Sequence, residues 1–65
     1  MYSNLKAEMA RKDITAADIA KKLDMATSTI SSRFSGKSVF TLAEAREIRK
    51  ILGVNMTIDE LFEEE

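Results

Sequence analysis

The sequence predicts an all-α fold, a compact five-helix bundle that contains a helix-turn-helix. Three observations carry that expectation. Two glycines and no proline among 65 residues leave few of the turn residues that a β fold needs. Apolar residues recur at helical spacing in five blocks. Three of those blocks open on the same start signal, "TAAD", "TLAE" and "TIDE", in which a threonine caps a helix and a carboxylate three residues on answers it.

Taken in order, the first helix is expected from Ser3 or Asn4 to about Lys12, with Leu5 and Met9 on one face. The second, about residues 16–23, starts at Thr15 with Asp18 closing its capping box, and buries Ile19, Ala20 and Leu23. The third, about 27–35, carries a narrow stripe of Ala26, Ile30 and Phe34. The fourth opens at Thr41, turns Leu42, Ala45, Ile48 and Leu52 inward and stops at Gly53, which suits a left-handed helix end. The fifth follows Thr57, presents Ile58, Leu61 and Phe62, and runs into an acidic end, 63–65, that is expected to fray. A chain of this length, 1–65, is expected to form one domain. Between the second and third helices stands only "LDMAT", too tight for a relaxed antiparallel hairpin; a steep crossing is expected, with Asp24 accepting positive φ.

Composition excludes much chemistry. Without cysteine there is no disulfide or thiolate metal site, and without histidine the commonest general base and metal ligand are missing. The expectation is a protein that is not an enzyme and uses no metal, cofactor or small-molecule ligand. No secretory leader or apolar run of membrane length is present, so a cytoplasmic protein without membrane contact is expected. The net charge of −1 conceals an asymmetry: residues 1–40 hold seven Lys/Arg against four Asp/Glu, and residues 41–65 hold three against seven.

The segment "TSTISSRFSG", residues 27–36, is the most informative. Serine and threonine are mediocre helix formers because their hydroxyls compete for the backbone. On a projection of about 100° per residue with Ile30 at zero, Ser31 lies at about 100°, Ser35 at about 140°, Ser28 at about 160° and Ser32 at about 200°. The outward face is thus built of short hydroxyl side chains, where a merely solvated helix would carry Glu, Lys or Gln. Small uncharged donors and acceptors suit close approach to base edges and phosphates in a major groove. The bland alternative is a weakly helical surface segment whose serines carry no role.

The stretch "AADIAKKLDMATSTISSRFSGK", residues 16–37, resembles the helix-turn-helix of the lambda-type phage repressor and Cro family. Ala20, Ile30 and Gly36 stand at that family's small, aliphatic and glycine positions, and "KILGVNMTIDELF" matches its fourth and fifth helices. Two departures are Ala16, where members often carry Gln for a phosphate contact, and Asp24, where the turn usually has Gly. The resemblance implies that the third helix is the recognition helix, with Thr27, Ser28, Ser31 and Ser32 facing bases. It also implies that Ser35, Lys37 and Ser38 meet the DNA backbone.

Among the remaining basic residues Arg11, Lys12, Lys21 and Lys22 fall in the positive half, and Arg11 is taken as a further backbone contact, though a solvated face is the ordinary fate of such residues. Arg33, at about −60° on the same projection, is either a base contact or an arginine at the core edge. Bidentate readers of adenine or guanine are otherwise absent from the base-facing set, so direct readout is modest and DNA shape contributes. Related domains dimerise to span two half-sites about 10 base pairs apart. With no separate oligomerisation segment, Val54 and Met56 are the dimer candidates; Met25 and Phe40 are read as core edge. The implied function is a sequence-specific regulator that binds double-stranded DNA as a weak homodimer, a Cro-like phage or prophage repressor in a bacterial cytoplasm. The rival is a protein-interaction module, such as an antitoxin or anti-repressor-type adaptor, working through the acidic half.

Overall fold

A computed structural model describes residues 2–64; Met1 and Glu65, the last residue of the acidic end, lie outside the described residues. Five helices follow in order: α1 Ser3–Lys12, α2 Ala16–Lys22, α3 Thr27–Ser35, α4 Leu42–Leu52 and α5 Ile58–Leu61, with no strand among the described residues. Local chemistry explains most boundaries. At α2, α4 and α5 a threonine side chain accepts the amide of the third helical residue, and the carboxylate there accepts the threonine amide: Thr15 with Asp18, Thr41 with Glu44, Thr57 with Glu60. These bonds hold the Asp18 and Glu60 carboxyls below the ordinary carboxylate range, the amide donated to each being the largest cause.

Helix ends are as regular as the starts. Asp13 (φ 56°), Asp24 (φ 56°) and Gly36 (φ 87°) each turn left-handed just past a helix. At each, two amides reach back in the same pattern, Ile14 to Met9 O at 2.9 Å, Met25 to Ala20 O at 2.8 Å and Lys37 to Ser32 O at 3.0 Å being the longer reach. Two of the three positions hold aspartate, among the few non-glycine residues that accept this conformation. Asp24 therefore reverses the chain between α2 and α3 without a glycine. Gly53 (φ 64°) ends α4 as its position implied.

Each helix contributes one aliphatic side chain with no exposed surface: Leu5, Ile19, Ile30, Ile48 and Leu61. Burial of one such side chain contributes about 1.5–3 kcal/mol, so this central set joins all five helices by the hydrophobic effect. The closest helix pair is α2 with α3, while α4 lies against α5 and α1 spans both. All four aromatic rings of the chain form a second cluster. Phe40 stands at its centre, 5.4 Å from Tyr2, 5.5 Å from Phe34 and 5.2 Å from Phe62 between ring centroids, each pair edge to face. Tyr2 is buried and its hydroxyl donates to Glu64 Oε1 at 2.9 Å, which fastens the first described residues to the last. Burial, with the Glu64 carboxylate second, pushes the Tyr2 hydroxyl above its ordinary pKa.

Two residues differ from expectation. Leu42, expected inward on α4, is 59% exposed. It occupies the first turn at the flank of the Ala45–Ile48–Leu52 stripe, and Phe40, entering from the preceding loop, already fills the interior there. Ala26, expected within the apolar stripe of α3, is exposed because it is the extended N-cap residue (φ −67°, ψ 143°), to which helical projection does not apply. Phe40→Ala should lower unfolding free energy by about 2–3 kcal/mol, somewhat under the usual cost for a fully buried phenylalanine. Urea denaturation followed by circular dichroism measures it, and a loss under about 1 kcal/mol would mean the aromatic cluster is not a cohesive part of the core.

Candidate nucleic-acid interface

The site is built on α3, and what fixes α3 is its inner face. Ile30 is wholly buried, Phe34 packs on Phe40, and the Met25 amide bound to Ala20 O sets the entry of the chain. With that side committed, Thr27, Ser28 and Ser31 are exposed and Ser32 is half-buried. None of these four hydroxyls makes a side-chain hydrogen bond within the described residues. Ser35 differs, since its hydroxyl donates to Ser32 O at 3.1 Å and presents lone pairs outward. Helix α3 also begins without a side-chain cap, unlike α2, α4 and α5, so no side chain of the chain accepts the amides of its first turn.

The cations sort clearly. Lys37, just beyond Gly36, is exposed and carries no ion pair among the described residues. Arg33 is committed: Nε and Nη2 donate to the two Glu44 carboxylate oxygens, each at 3.0 Å, and Nη1 donates to Ser38 Oγ at 2.9 Å. Of the two roles open to Arg33 from sequence, the structure supplies partners for the core-edge role. Ser38 is thereby held in place with its hydroxyl proton still free to point away. Arg11 is tied to Glu8 at 2.6 Å, the one buried charged side chain of the described residues. That pairing neutralises Glu8 and leaves Arg11 a divided charge for any phosphate. Lys6, not singled out from sequence, is the exposed α1 cation without an ion pair that lines the cleft between α1 and α3. No sequence signal places it there, because which face of α1 meets α3 is a tertiary fact.

Glu44 accepts three hydrogen bonds at once: it caps α4 by accepting the Thr41 amide at 2.9 Å and receives two donors from Arg33. The Arg33 guanidinium, first, and the Thr41 amide hold its carboxyl below the ordinary range despite desolvation. The loop 36–41 is thus strung between α3 and α4 by one carboxylate.

The dimer candidates Val54 and Met56 are both half-buried and packed against the core, and the Met56 carbonyl accepts Arg49 Nε at 2.6 Å. The large apolar side chains that face solvent are instead Val39, 70% exposed, and Leu42. No helix of the described residues is long and apolar enough to cross a membrane, and no cluster of metal-binding side chains occurs among them.

Against known proteins, a family model described as helix-turn-helix, of the Cro/C1 type, matches residues 5–58. No curated protein and no solved structure gives a significant match.

Glu44→Gln should lower stability at neutral pH and leave it nearly unchanged in strong acid. A carboxyl whose folded pKa is depressed stabilises fully above its unfolded value, near 4.5, and that stabilisation is lost as pH falls through the lower folded value. Denaturation midpoints of the two proteins should therefore converge on acidification. A gap that stays constant across pH would show that the Arg33–Glu44 charge pair contributes nothing.

Proposed function

The chain belongs to the Cro/C1-type helix-turn-helix family of DNA-binding regulators, and we propose that it is a Cro-like phage or prophage repressor that occupies an operator in double-stranded DNA as a weak homodimer. Its place of action is then the bacterial cytoplasm, on the nucleoid when bound. One observation carries the reading: a helix pinned from behind by Ile30 presents hydroxyls that the fold itself does not use. Buried polar economy would leave such a face idle, whereas base edges and phosphates give each hydroxyl a donor or acceptor role.

In this mechanism α3 enters the major groove with Thr27, Ser28, Ser31 and Ser32 toward base edges. Lys37 and Ser38 meet a phosphate at the helix exit, with Ser38 held by Arg33. Affinity comes chiefly from phosphate neutralisation and counterion release. Selectivity comes from the hydroxyl face and from DNA shape, since serine and threonine discriminate bases only modestly. The dimer is weak for a geometric reason. Half-sites lie about 34 Å apart along DNA, and the domain's longest extent is 27 Å, so two bound copies meet only at their edges.

A second reading, a protein-interaction module of antitoxin or adaptor type, is favoured by one feature, the exposure of Val39 and Leu42 beside a groove that Phe40, Ile58 and Phe62 also line.

Lys37→Ala should weaken binding to every duplex alike and reduce the slope of log affinity against log salt by about one unit. Ser28→Ala and Ser32→Ala should instead reorder preference within a panel of duplexes while the salt slope stays unchanged. Fluorescence anisotropy at several salt concentrations separates the two classes, and identical losses on all duplexes for all three variants would defeat the reading.

A further inference from the structure

We propose that the groove bounded by the loop entering α4, by α5 and by the two ends of the described chain takes an amphipathic segment of a partner protein, one whose large apolar anchors are flanked by Lys or Arg. The inference uses a face other than the hydroxyl face of α3. It rests on the reading of this face as a protein-interaction surface and adds to that reading the chemistry of the partner.

The groove has a volume of about 330 Å³. Its floor belongs to the aromatic cluster and its neighbours: Tyr2 is buried, and Phe40, Ile58 and Phe62 are half-buried. Val39 and Leu42 stand on either side of Phe40 in sequence and line the same groove, yet both side chains face solvent. A solitary exposed apolar residue is ordinary in a folded protein. Two of them over an apolar floor make a continuous surface, and such surfaces in a groove mark interaction sites.

Charge selects the occupant. The lining holds one carboxylate, Glu64, and no cation. Asp59 and Glu63 each follow a lining residue in sequence, are exposed and carry no ion pair among the described residues. Of the three cations after Thr41, Arg49 donates to the Met56 carbonyl, Lys50 stands 3.4 Å from Glu47, and Arg46, one turn beyond Leu42 on α4, lies outside the lining. Basic side chains flanking an apolar anchor therefore meet complementary charge at the rim. A second copy docked through the same groove would bring these carboxylates against their own counterparts, because a two-fold contact is isologous. Duplex DNA meets the same objection. Two exposed apolar side chains also fall short of the roughly 800 Å² that each partner buries in a standard interface, whereas an amphipathic helix is held in a groove by a few anchors.

The test uses the full chain without DNA and two fluorescent synthetic peptides in which leucines repeat at helical spacing, the other residues being Lys and Ala in one and Glu and Ala in the other. By fluorescence anisotropy the lysine peptide should bind saturably and the glutamate peptide should not. Leu42→Gln and Val39→Gln, both at exposed positions, should each weaken binding at least about fivefold, the scale of a lost interface anchor. Glu63→Gln should weaken it about twofold, as for an exposed charge pair, and circular dichroism should be unchanged in all three variants. Equal binding of the two peptides, lost on Leu42→Gln, would overturn the basic chemistry of the partner while keeping the groove as a protein-docking surface. Binding of neither peptide would overturn the proposal and the interaction reading together. Binding that Leu42→Gln and Val39→Gln leave intact would overturn it by placing the peptide elsewhere. Sedimentation equilibrium of the protein alone completes the test: a dimer that Leu42→Gln dissociates would overturn the proposal and assign the groove to a second copy.

Discussion

The bidentate pair between Arg33 and Glu44 is the interaction on which the working geometry depends. Helix α3 packs mainly on α2, so its placement against the remaining helices rests on fewer contacts. Ile30 supplies adhesion, which is strong and has no preferred direction. Direction comes from two contacts at the far end of α3: Phe34 edge-on to Phe40, and the planar guanidinium of Arg33 meeting the Glu44 carboxylate along two parallel bonds. Because Glu44 also caps α4, the start of one helix and the end of another are held by a single side chain, and the loop that carries Lys37 and Ser38 is fixed between them.

This arrangement spends an arginine on geometry. In a domain with ten basic residues and a net charge of −1, pairing Arg33 with Glu44 leaves the outward hydroxyl face of α3 almost neutral. In the proposed function a neutral hydroxyl face would approach DNA without the desolvation cost of burying charge, while flanking cations would hold the duplex in register, so that affinity and selectivity would reside in different residues of one small surface. The acidic half lies with α4 and α5, and Glu64 is occupied by the Tyr2 hydroxyl.

How much of this was legible in the sequence depended on the range of the interaction concerned. Capping boxes at Thr15, Thr41 and Thr57 act over three residues, so spacing alone reveals them and the starts of α2, α4 and α5 fall where the motifs stand. The positive φ at Asp24 was readable for the same reason, as a short turn between two helical patterns. The exposure of Leu42 was not, because which apolar residue near the start of α4 enters the core depends on the path of the preceding loop, and periodicity carries no information about that path; Phe40, read as core edge, packs there. Arg33 and Glu44 are eleven positions apart, and nothing in their spacing couples them. The same limit hid Lys6, whose position over the α1–α3 cleft exists only once α1 is docked.

The central claim is that the hydroxyl face of α3 reads duplex DNA at two symmetric half-sites. The most direct test is selection of the purified protein against a pool of random-sequence duplexes at about 0.15 M salt, a physiological ionic strength, followed by sequencing of the retained DNA. The account predicts enrichment of a palindrome whose half-sites lie about one helical turn apart. Retained sequences indistinguishable from the starting pool would contradict it, and would assign the hydroxyl face no role in reading bases.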